Sequence, residues 1–274
     1  MSHPAKQLIA AKVRAVFHDG AQGERPLVRS ADSLFGPESI TWRVHGDVTT
    51  MMVGGVSALL LQMLHPAVLG GVWDHSNFRV DMHGRLRRTA RFIALTTYAS
   101  RADAESAIAK VRRIHEHVQG TLPNGRPYSA TDPALLTWVH ATESISFLNA
   151  WRRFAQPTMS IADQNRYFAE VAVVGRALGA EGVPTTRVGI LDYISRMRTQ
   201  LRADSRTRDV ARIILQRNLP TFDAVPIELV KRAAVDLLPP WARRMHGLRS
   251  SGLGQPLIGA GTLALAQTLR WAFR

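Results

Sequence analysis

Cysteine is absent from the 274 residues of this sequence. Its absence excludes disulfide-stapled scaffolds, zinc and iron–sulfur sites held by thiolates, covalently attached c-type haem, thiolate-ligated haem and cysteine nucleophiles. Ten histidines remain. A transition metal in this chain would therefore be bound through nitrogen or oxygen.

Lysine is scarce, because the chain has only Lys6, Lys12, Lys110 and Lys231 among its 35 basic residues. Arginine supplies almost all of the positive charge, and the formal net charge is +14. Such an excess fits nucleic acid, an anionic membrane surface or an anionic small molecule as a partner. A codon-composition bias of the source organism is a fourth and plainer interpretation.

Long apolar segments are also lacking. The longest apolar run, 51–64, is interrupted by one glutamine and is shorter than the roughly 20 residues that span a bilayer. A second segment, 257–273, carries Gln267 and Arg270, and residues 1–11 do not resemble a signal peptide. We expect two core helices in a cytoplasmic protein, with peripheral membrane contact by the second helix as an alternative.

The remaining pattern is typical of helices throughout. Apolar residues recur at helical spacing, capping residues precede several of these runs, and no strictly alternating run marks a strand. The predicted helices are 6–17, 47–64 with Asp47 as its cap, 85–98, 100–119, one from Asp132-Pro133, one from Ser160, 187–217, 226–238 and 257–273. The sequence thus predicts an all-α fold, with an N-terminal helix and lead-in loop over 1–38 and one multi-helix domain over 39–274.

Common catalytic motifs are missing. The sequence has no Walker phosphate loop, no GxGxxG after a strand, no HExxH and no GxSxG. Gly54-Gly55 lies inside an apolar helix, so we expect it to allow close helix packing rather than phosphate binding.

His115 is the most informative histidine. On a helix, Val111, Ile114, His115 and Val118 share one face, which we expect to be turned toward the core. An imidazole on such a face either satisfies a buried hydrogen bond or binds a ligand. Arg112 lies one turn earlier and is placed to meet an anionic group of the same ligand.

Arg85 and Thr89 are four residues apart and hence share another helix face. Arginine and a hydroxyl can orient a carboxylate or a bound oxygen species, although an exposed ion pair and an ordinary helix threonine explain them too. The compact polar triplet Asp74-His75-Ser76 is predicted to line a pocket or to form a turn.

The other histidines give weaker signals. We expect His45, His75 and His83 in loops, His65 at a helix end before Pro66, and His140 as a satisfied residue of a core helix over 135–147.

A set of short motifs, in this order and spacing, resembles the DUF2236 family of MpaB-like oxygenases, which includes the catalytic domain of the rubber-cleaving latex clearing proteins. The similarity covers the chain from about 42 to 248. The motifs are Trp42–Gly46, Leu61–Pro66, Asp74–Ser76, Arg85–Thr89, Arg112–His115, Tyr128–Pro133, Gly179–Pro184 and Leu238–Arg243.

This resemblance implies a globin-like helical core around a b-type haem. The family's ligand motif, an arginine three residues before a histidine, matches Arg112 and makes His115 the iron ligand. The family's Arg-x-x-x-Thr pattern matches Arg85 and Thr89. A b-type haem also needs an apolar pocket and basic groups for its propionates. The helix over 51–64 and the arginines at 85, 88 and 112 would supply these.

The resemblance also implies a reaction class. We expect a haem-dependent oxidoreductase that uses O2 or peroxide, with a redox partner as an option, on an apolar or secondary-metabolite substrate. Thr89, His75 and Asp74 are the candidates for hydrogen bonding at the oxygen side of the haem. Two features depart from the rubber-cleaving members: Gln119 stands where they have an arginine, and the chain has no glutamate between Glu38 and Glu105.

The alternative to an enzyme is a basic helical protein that binds nucleic acid or an anionic membrane. Eight arginines between 187 and 217 would follow a phosphate backbone. However, Asp192, Asp204 and Asp209 dilute this patch, and apart from Tyr193 no aromatic residue is interleaved with the arginines as bases would require. A solvated helix face with intrahelical ion pairs is the interpretation that we prefer.

Overall fold

The computed structural model describes Lys6 and residues 26–216 and 227–273, with only the backbone of His83 and Phe273. Over these residues the chain forms twelve α-helices and one two-stranded antiparallel sheet, which confirms the predicted all-α fold. The helices are α1 (Ile40–His45), α2 (Val48–Gln62), α3 (Pro66–His75), α4 (Met82–Tyr98), α5 (Arg101–Glu116), α6 (Pro133–Phe154), α7 (Ile161–Ala177), α8 (Arg187–Met197), α9 (Ser205–Gln216), α10 (Ile227–Leu237), α11 (Pro240–His246) and α12 (Gln255–Phe273); the strands are β1 (Gln119–Thr121) and β2 (Pro127–Ser129).

Helices α2 and α6 form the centre of the fold and cross at Gly54. A Cβ atom on Gly54 would lie 2.7 Å from Cδ1 and 2.9 Å from Cα of Phe147. Real Cβ atoms do not approach so closely, so only glycine lets the two backbones touch here. The expectation that the glycine pair serves helix packing is confirmed.

Apolar side chains from both central helices build the main core. Leu60 and Leu61 of α2 and Trp138 and Leu148 of α6 are fully buried in it, together with Phe168 of α7. A second apolar cluster lies where α10 and α12 cover Val53 and Phe154. Their burial supplies most of the free energy that holds the helices together.

Side-chain caps fix the helix starts that the sequence predicts. Asp47 accepts a hydrogen bond from the Thr50 backbone N–H at 2.8 Å, and Ser160 caps α7 in the same way. Asp47 is only 6% exposed and is also paired with Arg270 of α12. Arg270 donates in addition to the Phe154 carbonyl at 3.0 Å, so this arginine joins α12 to the start of α2 and the end of α6.

The predicted helix over 100–119 ends three residues early, at Glu116. Gln119–Thr121 pairs instead with Pro127–Ser129 in a hairpin. Gly125 reverses the chain with φ +82°, a conformation that suits glycine after Asn124. The sheet is as minor as expected, but the Asn-Gly signal for it was overlooked.

The predicted helix over 187–217 is interrupted. Leu201 is buried and extended, and the Arg202 backbone N–H donates to the Leu64 carbonyl at 2.9 Å. Asp204 then accepts from the Thr207 backbone N–H at 2.9 Å and starts α9. The hydrogen bond to the Leu64 carbonyl, just after the end of α2 and distant in sequence, therefore interrupts the helix predicted over 187–217.

Further predictions concern residues outside the described ranges or next to them. The predicted helix over 6–17 lies outside the described residues, apart from Lys6. Arg217, the predicted end of one helix, and Pro226, the predicted start of the next, lie outside them too. The first described helix of the main region, α1, begins after Ser39, whose side chain caps it. The division into 1–38 and 39–274 remains a prediction. In the described ranges no single helix meets the length and hydropathy of a membrane span; α2 and α3 meet them only as a pair bent by 105°.

The adjacent glycines of α2 offer a matched test of the helix crossing. We expect Gly54→Ala to lower the free energy of unfolding by about 1–3 kcal/mol, because its methyl group meets the Phe147 backbone. Gly55→Ala should instead raise it by about 0.5–1 kcal/mol through helix propensity, since its methyl group would lie 3.7 Å from the nearest ring atom. Urea unfolding of both variants measures the difference; equal effects would contradict this account of the crossing.

Candidate functional site

His115 lies on the inward stripe of α5. Ala104, Ile108 and Val111 precede it at helical spacing, and the first two are buried. Ile114, which we expected on this stripe, is 53% exposed, because it lies about a quarter turn to one side. The predicted core-facing position is therefore right for His115 and wrong for Ile114.

The His115 ring is partly withdrawn from water. Its Nδ1 atom is buried and has no hydrogen-bond partner among the described residues. Burial lowers the pKa of the ring, so it is neutral at pH 7. A neutral imidazole with an unused nitrogen is the form that binds a transition metal.

Arg85 lies on α4, the helix that precedes and contacts α5. Only Ala99 and Ser100 join α4 to α5, and Arg85 and His115 are each about 20 Å of helix away from that turn at about 1.5 Å per residue. Arg85 is half-buried, and its Nη1 donates to Ser76 Oγ at 3.0 Å. Burial, and then the charge of Arg88, lower the pKa of the Arg85 guanidinium.

The other predicted cofactor contacts lie at the surface around these two residues. Arg88 is exposed and forms an ion pair with Asp81 at 3.3 Å. Thr89 is exposed, and its hydroxyl donates to the Arg85 carbonyl at 3.1 Å. Arg112 is exposed on the flank of α5. The matching motifs therefore combine two half-buried side chains with a basic, exposed rim.

Asp74 and His75 are not in a loop, as predicted for His75, but are the last residues of α3. Asp74 Oδ2 accepts from the Tyr128 hydroxyl at 2.5 Å, and His75 Nε2 donates to the Gln119 carbonyl at 2.9 Å. Burial and the Asp74 carboxylate raise the pKa of Tyr128 to about 12. Both residues thus join α3 to the hairpin, and the triplet reaches Arg85 only through Ser76.

The remaining histidines are also on helices. His45 ends α1 and His83 is in the first turn of α4, so the expectation of loops is wrong for both. His65 occupies the N-cap position of α3 and is 8% exposed, as expected of a helix-end residue. His140 lies on the core helix α6, as predicted.

A cleft that the sequence analysis missed lies between α1, α4, α6 and α7. We call it the Glu143 cleft and define it by His45, Thr97, His140, Glu143 and Tyr167. Its cavity volume is about 40 Å³. The rings that wall it are Phe35, Phe92 and Phe147.

One hydrogen-bonded chain crosses this cleft. His45 Nδ1 lies 2.9 Å from Thr97 Oγ1, and His45 Nε2 lies 3.0 Å from the Tyr167 hydroxyl. Thr97 donates its own proton to the Ile93 carbonyl at 2.7 Å, so it accepts from Nδ1–H. Nε2 then accepts from Tyr167, since burial lowers the pKa of His45 to about 3 and keeps the ring neutral.

Glu143 and His140 face the cleft one helical turn apart, and neither forms a hydrogen bond within the described ranges. Burial raises the pKa of Glu143 to about 7. Burial, and then the charge of Arg176, lower the pKa of His140 to about 4. An acidic residue inside the apolar run 135–147 was the signal that could have found this cluster.

Two further observations describe the surroundings. A larger apolar groove of about 220 Å³ opens between α2, α6, α8 and α11, and Arg198 lies over the Trp241 ring at its edge. In the described part of the chain no three His, Asp or Glu side chains form a group that could hold a metal ion.

The Glu143 cleft should make folding stability depend on pH. The carboxyl has a folded pKa above its unfolded value, so its unfavourable contribution develops between about pH 4.5 and 7 and is complete above. We expect Glu143→Gln to raise the free energy of unfolding at pH 8 by roughly 2–3 kcal/mol. Its effect should shrink toward zero near pH 4.5.

Urea unfolding at both pH values measures this difference. His45 and His140 have lowered pKa values and oppose the trend, because their contribution falls as the pH drops below 6.5. The wild type and Glu143→Gln both keep these histidines, so the effect of the histidines on the free energy of unfolding cancels in the comparison. A gain from Glu143→Gln that is the same at pH 4.5 and pH 8 would contradict the burial of an ionisable carboxyl.

Comparison with known proteins gives one match. The sequence model of the family described as ER-bound oxygenase mpaB/B'/rubber oxygenase, catalytic domain, matches residues 42–271. No curated protein and no solved structure matches significantly. The matched segment contains both Arg85 and His115 and every helix from α2 to α11. The chain therefore belongs to the mpaB and rubber oxygenase catalytic-domain family.

Proposed function

We propose that this oxygenase-family protein is a b-type haem-dependent oxidoreductase with His115 as the iron ligand. The observation that carries the proposal is the buried, unpartnered Nδ1 of a neutral His115 at the family's ligand position. A single histidine cannot hold iron firmly, whereas a porphyrin supplies four further nitrogens. Haem and one histidine together therefore supply enough ligands to hold iron, whereas one histidine alone does not.

The surrounding side chains fit a haem in their distribution of charge. Haem has an apolar body and an edge with two propionates, which need cationic partners. Arg85 and His115 are half-buried, while Arg88 and Arg112 are exposed. We assign the two exposed arginines to the propionates and Arg85 to orientation of the haem or of its ligand.

The bound haem would supply the redox chemistry that activates O2 or peroxide. The protein's own contribution is to hold the ring, shield one face and place hydrogen-bond donors. Thr89 keeps its hydroxyl next to Arg85, since its Oγ1 donates to the Arg85 carbonyl. Asp74 and His75 support this region indirectly, because their side chains are occupied by Tyr128 and the Gln119 carbonyl.

We propose an apolar or secondary-metabolite substrate. The apolar groove beside α8 is the larger of the two cavities described and fits such a molecule. Rubber cleavage is not proposed, because Gln119 replaces the arginine and no glutamate precedes the Arg85–Thr89 pair after Glu38. A redox partner and a cytoplasmic location with peripheral membrane contact belong to the same proposal.

A nucleic-acid or membrane role is the second candidate. Several arginines of the 187–217 segment are ion-paired within their own helix or turn, as a solvated face would have them. The pairs are Arg196–Asp192, Arg206–Asp204 and Arg212–Asp209. A salt-titrated DNA shift and liposome flotation would detect either partner, and we expect neither to bind stoichiometrically.

Two histidines of one helix end test the iron ligand. His115→Ala should abolish stoichiometric haem retention, whereas His117→Ala should keep it, because His117 is exposed and bonds the Arg113 carbonyl at 2.8 Å. Absorption spectra and a pyridine haemochrome assay count haem per chain. A normal Soret band in His115→Ala would transfer the ligand role to another histidine, and a colourless wild type after expression with haem precursor would overturn the proposal.

Two adjacent arginines test the propionate contact. Arg112→Leu should weaken haem binding about tenfold, the value of one charge-assisted hydrogen bond at a partly exposed site. Arg113→Leu removes the same charge from a position about 160° around α5 from His115 and should change the affinity little. Haem titration of both apoproteins gives the two dissociation constants, and equal losses would show that only net charge matters.

A further inference from the structure

The hydroxyl groups that line the Glu143 cleft present hydrogen-bond acceptors, and the neutral His140 ring adds one acceptor and one N–H donor. The lining hydroxyls direct their protons into the helix backbone. Thr96 donates to the Phe92 carbonyl at 3.0 Å, Thr97 to the Ile93 carbonyl at 2.7 Å and Ser144 to the His140 carbonyl at 2.8 Å. Each hydroxyl oxygen therefore faces its surroundings with lone pairs only.

Tyr167 follows the same rule. Its hydroxyl proton is directed to His45 Nε2, because Nδ1–H of that ring is already bonded to Thr97. The Tyr167 oxygen is left with a free lone pair next to Glu143, whose charge raises the pKa of Tyr167 further. Both ring nitrogens of His45 are thus used, and this side of the cleft has no free donor.

Glu143 adds an unpaired carboxyl to these acceptors. It is half-buried and lines the cleft, yet it has neither a hydrogen bond nor an ion pair within 26–216 and 227–273. Buried polar groups in native proteins normally have a partner, so an unpartnered carboxyl that opens into a cleft requires an explanation. The rings of Phe35, Phe92 and Phe147 complete the walls with π faces and edges.

We propose that the Glu143 cleft binds the primary ammonium group of an organic amine, with the Glu143 carboxylate as its counter-ion. An ammonium group has three N–H donors and no acceptor, which complements a cavity lined by these acceptors. Aromatic walls stabilise a desolvated cation by cation–π interaction. The confined space favours a slender primary amine over a bulky quaternary one. This site shares no side chain with the proposed haem contacts and does not depend on them.

The charged and titratable groups around Glu143 set the pH dependence of this binding. His45 on α1 and His140 on α6 stay neutral above pH 5, and Tyr167 on α7 stays protonated. Glu170 of α7 acts on Tyr167 through its charge, and Arg176 of α7 acts on His140 in the same way. The α4 residues that line the cleft do not titrate. Glu143 is then the group whose ionisation controls the affinity.

Calorimetric titration of the purified full-length protein with n-butylamine tests the proposal. We expect binding at pH 8 that weakens about tenfold at pH 6, because the ionised fraction of Glu143 falls by that factor. 1-Butanol, which has the same shape without the charge, should bind at least tenfold more weakly. Tetramethylammonium, which has no N–H donor, should bind weakly as well.

Variants locate the site. Glu143→Gln should lower the butylamine affinity at least tenfold at pH 8 and remove its pH dependence, whereas the exposed control Glu181→Gln should match the wild type. Haem content is measured in every sample, so that loss of haem is distinguished from loss of amine binding. If Glu143→Gln does not fold, the comparisons of butylamine with 1-butanol and of pH 8 with pH 6 on the wild type still test the proposal.

Three outcomes would overturn the proposal. They are equal affinity for butylamine and butanol, a pH dependence that persists in Glu143→Gln, and no heat of binding with millimolar amine at pH 8.

Discussion

The contact between Gly54 and the backbone of Phe147 determines how the rest of the molecule is arranged. It brings α2 and α6 closer together than side chains would allow. The other helices pack around this central pair. A second glycine contact repeats the principle, because a Cβ on Gly175 of α7 would lie 2.9 Å from Cγ of His140. Close approach of α7 to α6 is what places Tyr167 against Glu143 and His45. The polar cleft thus depends on two positions that have no side chain.

Helix α4 borders both candidate sites. Its first half carries the family-motif residues Arg85, Arg88 and Thr89, and its last two turns carry Phe92, Thr96 and Thr97 on the Glu143 cleft. Burial keeps the histidines of each site neutral, but the consequences differ. His115 keeps an unused nitrogen, which suits a metal, whereas both nitrogens of His45 are occupied by hydrogen bonds. The same residue type therefore has a binding role at one site and a supporting role at the other.

Local signals in the sequence were sufficient for most of the fold. Asp47, Asp132 and Ser160 cap helices as predicted, because a cap depends only on residues two or three positions away. The break at Leu201 could not be predicted in this way, since it depends on the distant Leu64 carbonyl. Glu143 was missed for the same reason: its surroundings come from three other helices. His75 was expected in a loop, but the end of α3 is set by pairing with the hairpin strand at Gln119.

The haem proposal is supported by which residues of the family motifs are buried and which are exposed, more than by the presence of the motifs alone. A prosthetic group with an apolar body and a charged edge needs its iron ligand inside and its cations at the rim. His115 and Arg85 are half-buried, while Arg88 and Arg112 are exposed, which matches that order. Gln119, the position that departs from the rubber-cleaving members, is an exposed strand residue whose carbonyl bonds His75. Loss of an arginine there removes charge from the rim and leaves the His115 ring untouched. The departure therefore bears on the substrate that approaches the site, and the case for haem rests on the interior residues.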